Sequence, residues 1–288
     1  MANNVTKRLN DFLKGERISK EQFDDLKYVA NITDFNEQIL TWFRYLQSIE
    51  IVGWRNKFVT KKICKIMEIN EPLQFYALFC PSYIKGDGEA GFRTDDVGNT
   101  TKNGLKLLKE ITEKTQQMGF KCLEPEAIFF DVALEQPEKT INMLDDLDRN
   151  INNFCKYLPD RMKFSLLSQK FPEIMDIVGY RGIVIDPLPV NEIILNRIIE
   201  RGGKFYQLFG WDMDKIIARS KVIASSEATV GNIIRHNMPN SIMVYTPTML
   251  ERAQVYSGKH QDDPLAIIIP KSVEANYVSE IVSDNISL

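Results

Sequence analysis

From residue 73 to residue 269 the chain repeats one pattern, a short apolar run followed by a longer amphipathic stretch. The run LQFYALFC at residues 73–80 follows Pro72 and is almost continuously apolar. A strand with one wet face alternates polar and apolar residues, whereas a strand covered on both faces reads like this run. AIFFDVAL at 127–134 is a second such run, and residues 163–167, GIVID at 182–186, SIMVY at 241–245 and LAIII at 265–269 are further strands. The segments between them carry a helical period. Leu105, Leu108, Ile111 and Thr115 recur within residues 102–118, and Gly119 is a plausible stop. Residues 138–157 form an acidic amphipathic helix, and residues 191–200 a helix ended by Gly202 and Gly203. Residues 212–236 make a long helix with a break expected midway, and one more helix falls between the last two strands. Strands alternating with helices predict an α/β fold, a Rossmann-like, mostly parallel sheet with helices on both faces. In such sheets ligands bind beyond the carboxyl ends of the strands.

Residues 1–70 read differently. Asp34 followed by Glu37 makes a capping-box signature, and Ile39, Leu40, Phe43, Leu46 and Ile49 follow at helical spacing. A second helix spans residues 55–67, and no strand is expected. This divides the chain into an N-terminal helical extension, residues 1–70, and an α/β catalytic domain, residues 71–288.

Charge and composition exclude several classes. Thirty-six Lys and Arg against 39 Asp and Glu give a net charge of −3, so the chain has no global basic field of the kind nucleic-acid binders show. The start MANNVTKRLNDFLKGE lacks an apolar run after its positive charges, and nothing approaches the ~18 apolar residues of a membrane span. The four cysteines are far apart, with no C-x-x-C pair, and there are only two histidines. This argues against a zinc site, a histidine-built metal centre and a disulfide framework, and fits a reducing cytoplasm. No cofactor is expected.

Chemistry-bearing residues gather after the first long strand and in the long helix. The hexapeptide from Gly86 to Gly91 matches G-x-G-x-x-G, but Asp87 and Glu89 place negative charge where a pyrophosphate would sit, and no apolar helix opens at Gly91. The segment reads better as a loop over a site. Ser82 and Tyr83 stand just past the strand, followed by Lys85, Arg93, Asp95 and Asp96, a set able to bind an anionic group and move protons. In the helix, Arg219, Ser220 and Lys221 precede Ser225, Ser226 and Glu227 by about one turn, which predicts a shared face, and a buried lysine there would supply an amine. Tyr245 ends a strand and can aim its hydroxyl into a site. Arg55, Lys57, Lys61, Lys62 and Lys65, with Trp54 and Phe58 among them, read as a solvated helix face, and His236 as a helix-end cation.

Two families resemble these segments. SKVIASSEATVGNIIRHNMPNSI, residues 220–242, resembles the pyoverdine/dityrosine biosynthesis family, the isocyanide synthases. It shares the Ser-Lys-aliphatic-Ile-Ala start and the Pro-Asn-small-Ile step into a strand. Residues 79–111 resemble that family's strand, loop and Leu-rich helix. Asp96, Val97 and Gly98 match its Asp-Leu-Gly core, and Ile128, Phe129 and Asp131 match parts of a later strand motif. Asp95 and Asn99 replace the family's Pro and Glu, Ser225-Ser226-Glu227 its His-Arg-Asn, and residues 243–247 its Arg-Leu-Ser-Ile-His. The resemblance implies a cytoplasmic enzyme that condenses the α-amine of an amino acid with a sugar-phosphate ketone and leaves an isonitrile carbon on the nitrogen, without metal or redox cofactor. Asp96, Lys221 and Glu227 would carry protons or amine chemistry, Ser82 and Tyr245 would position substrate, and Lys85, Arg93 and Arg219 would bind its anionic groups, with Tyr83, Ser225 and Ser226 beside them. The strand followed by Ser82 and Tyr83, then Glu227-Ala228, Pro239-Asn240-Ser241, Tyr245 and the IIIP strand, also resemble the cyclodipeptide synthases. That resemblance implies aminoacyl transfer from tRNA to Ser82, with Glu227 accepting the amine's proton. A third expectation is a relative that kept the fold as a ligand-binding module and lost catalysis.

Overall fold

A computed structural model of the chain describes residues 34–49, 51–52, 57–79, 99–131, 147–177, 189–208, 210–244, 255–256, 258 and 263–270. In chain order the described elements are α1 (Phe35–Ser48), β1 (Ile51–Val52), α2 (Lys57–Glu68), β2 (Gln74–Phe79), α3 (Asn99–Gln117), β3 (Glu126–Phe129) and α4 (Leu147–Cys155). They continue with β4 (Lys163–Leu166), α5 (Leu167–Lys170), α6 (Ile174–Ile177), α7 (Glu192–Leu208), α8 (Met213–Asn237), β5 (Ser241–Val244) and β6 (Ala266–Pro270). The sheet runs β1-β6-β5-β2-β3-β4. All pairings from β6 to β4 are parallel, and β1 lies antiparallel against β6 through Ile51–Pro270 and Val52–Ile269. The fold is α/β and Rossmann-like, as the strand–helix alternation predicts.

The continuous apolar runs are explained by burial on both faces. Phe75, Ala77 and Phe79 of β2 point to one side, with Ala127, Phe129, Ile242 and Val244 from the neighbouring strands, and meet Trp42 and Phe43 of α1, Ile63 of α2, Leu108 of α3 and Phe154 of α4. Tyr76 and Leu78 point to the other side with Ile128 and Met243, and meet Leu167 and Phe171 around α5, Ile174 of α6, and Val230 and Ile234 of α8. The period of two along each strand therefore assigns every residue to one of two cores.

Three expectations about the elements are corrected. The region before residue 70 contains a strand, β1, too short for any periodicity to reveal, and α1 and α2 carry their apolar stripes into the same core as the sheet. Helix α7 does not stop at Gly202 and Gly203 but continues to Leu208, with Gly203 facing Ile216 of α8. Tertiary packing there overrides a propensity penalty of about 1 kcal/mol per glycine. Helix α8 is unbroken over its 25 residues. Its amino end is fixed by Asp212, whose Oδ1 accepts the Lys215 amide at 2.7 Å. Two local expectations hold. Asp34 Oδ1 accepts the Glu37 amide at 3.0 Å, and Gly119 stands at φ 88° two residues past α3, the left-handed stop that glycine permits. The strand expected at 182–186 and the helix expected between β5 and β6 lie largely or wholly outside the described residues.

Candidate functional site at the carboxyl edge of the sheet

Taken in chain order, the five parallel strands lie 3-2-1-4-5 across the sheet. The chain steps from β2 outward through β3 to β4, then returns to lay β5 on the other flank of β2. The connections leaving β2 and β5 therefore diverge, and the gap between them is the switch point where doubly wound sheets hold ligands. It opens past Phe79 of β2 and Val244 of β5. Ser82, Tyr83, Lys85, Arg93 and Asp96 follow β2 in the chain and Tyr245 follows β5; all six lie outside the described residues.

Helix α8 carries described polar groups on this side of the sheet. Its carboxyl end leads through residues 238–240 into β5, so the helix runs from the carboxyl edge of the sheet toward the amino edge. Val230 and Ile234 pack on the sheet, and Glu227, three residues before Val230, lies on the same stripe one turn higher. At a rise of about 1.5 Å per residue, Glu227 is roughly 15 Å above Asn237, while Val244 is about 10 Å above Ser241 along β5. Glu227 therefore lies one turn further toward the carboxyl edge than Val230, which packs on the sheet. It is 2% exposed, as is Ser226 beside it. Ala224 and Ala228, on the flank of the same helix, pack against Ile194 and Ile198 of α7.

Lys221 does not join this group. It is exposed, and Ser225, one turn on, is only half-buried. Six residues of helix turn Glu227 about 120° away from Lys221, so the shared face and the buried amine expected for Lys221 are both corrected. Arg219 lies within α8, but its side chain is outside the described residues. Ser226 and Glu227 are both buried, and Lys221 is exposed.

A second carboxylate at the same edge was quoted in the sequence only as part of a motif. Asp131 lies two residues past the end of β3. Its Oδ1 accepts the Ser168 amide at 3.0 Å and its Oδ2 accepts the Ser168 hydroxyl, which ties the start of α5 to the end of β3. The amino end of β3 is tied to the same corner. Glu126, 1% exposed, accepts the Ser165 hydroxyl and the Lys170 ammonium at 2.5 Å each, with Lys163 at 3.7 Å. The acids bounding β3 therefore clamp the β4–α5 corner at both ends and hold Leu167 and Phe171 against the sheet. An acid immediately after an apolar strand run is the signal that could have marked Asp131; nothing local marks Ser168 as its partner.

Chemically, the described carboxylates and hydroxyls near this edge are Glu227, Asp131, Ser226 and Ser168. Such a set attracts an ammonium and can take its proton. Among the described residues no three His, Cys, Asp or Glu side chains converge as a metal site requires. The fold defines an α/β protein with a Rossmann-like sheet, and the helix leading into β5 carries a buried carboxylate, Glu227. No family model matches the chain, and no curated protein matches it in sequence.

Proposed function

We propose that the protein is an isocyanide synthase-like transferase that forms a carbon–nitrogen bond on the α-amine of an amino acid, in small-molecule biosynthesis. The observation that supports this reading is the burial of Glu227 on α8, one turn beyond the residues that pack on the sheet. A carboxylate held there can pair with a substrate ammonium, remove its proton, and release the free amine to attack a ketone carbon; loss of water then gives an imine. The resemblance of residues 220–242 to the isocyanide synthases supplies the reaction class, and a sugar phosphate would be the carbon donor. Among the described residues no helix is long and apolar enough to cross a membrane.

Mass spectrometry of small molecules from cells overproducing the chain tests this. The expected result is a new amino-acid-derived isonitrile that disappears with Glu227→Gln. A diketopiperazine lost with Ser82→Ala would replace this reading by aminoacyl transfer from tRNA. No new product, together with thermal stabilisation of the purified chain by an amino acid, would leave a binding module without turnover.

A further inference from the structure

We draw no further inference here: the strongest candidate, the buried cluster of Glu126, Ser165 and Lys170 at the amino end of β3, carries nothing because its charges and hydroxyl already satisfy one another and no group in it is turned toward a ligand.

Discussion

Gly203 and Gly231 both lie inside helices, yet their surroundings set opposite requirements. In a helix interior alanine is favoured over glycine by about 1 kcal/mol. At Gly203 an added methyl would meet Ile216 Cγ2 at 3.7 Å, an ordinary contact. Gly203→Ala should therefore stabilise the chain by about 0.5–1 kcal/mol. At Gly231 the methyl would stand 3.0 Å from both the Cα and the carbonyl carbon of Tyr256, and closer still to its carbonyl oxygen. These are backbone atoms, so relief means moving Val255 and Tyr256, each only 6% exposed. Overpacking of this kind costs about 1–3 kcal/mol, and a backbone clash belongs at the upper end. After the helical gain is subtracted, Gly231→Ala should destabilise by about 1–2 kcal/mol. Urea unfolding with an unchanged m-value reads both effects, and the two midpoints must move in opposite directions. A Gly231→Ala chain as stable as the parent would refute the reasoning, because it would mean that the 255–256 segment yields freely and that its crossing over α8 fixes nothing.

Tyr76 is fully buried, and the polar side chain beside its hydroxyl is Ser241. Tyr76→Phe should then cost about 0.5–1.5 kcal/mol in the same assay, and a neutral or stabilising change would show that the hydroxyl contributes nothing net. Removing Glu126 alone leaves the part-buried Lys170 without its counter-charge, so Glu126→Ala should cost about 3 kcal/mol. The double variant Glu126→Gln with Lys170→Met should recover most of that, and a double-mutant cycle showing no coupling would contradict the clamp. Burial pushes the Cys64 thiol from 9.0 up to about 12, and burial also raises the Tyr76 phenol. A raised folded pKa means that the stabilisation is complete below the unfolded value and is lost as pH climbs toward the folded one. Stability should accordingly fall between pH 9 and 12, less steeply in Cys64→Ala, measured by denaturant midpoints across that range.

What the sequence discloses of this fold is what periodicity can encode. The run at 73–80 has residues for two cores interleaved, and Phe75, Ala77 and Phe79 separate from Tyr76 and Leu78 as a period of two requires. β1 has two residues and thus no period; it exists because β6 offers an open edge. Gly202 and Gly203 announce a helix end by propensity alone, and only the approach of Ile216 shows why α7 passes through them. The helix face of α8 was legible in principle. Ser220, Glu227, Val230 and Ile234 recur at spacings of seven, three and four and are all buried, which puts Glu227 inside and Lys221 outside. Reading charged residues as neighbours because they are near in sequence obscured that stripe. Asp131 and Ser168 meet across 37 positions of chain, a distance no local pattern spans.

Glu227 is the residue on which the functional reading and a purely architectural one part company. An ionised group at 2% exposure costs several kcal/mol to desolvate unless charge or hydrogen bonds offset it. If its role is to anchor the fold, Glu227→Gln removes a charge that its surroundings are built to meet, and the unfolding free energy should drop by about 3 kcal/mol or more. If its role is to receive a substrate amine, glutamine keeps the shape and much of the hydrogen bonding, and the charge is needed only when substrate arrives. The functional reading therefore expects Glu227→Gln to lie within about 1 kcal/mol of the parent in urea while its product is lost. A strongly destabilised Glu227→Gln chain would remove the basis for placing amine chemistry at this edge, because the carboxylate would then be explained by architecture alone.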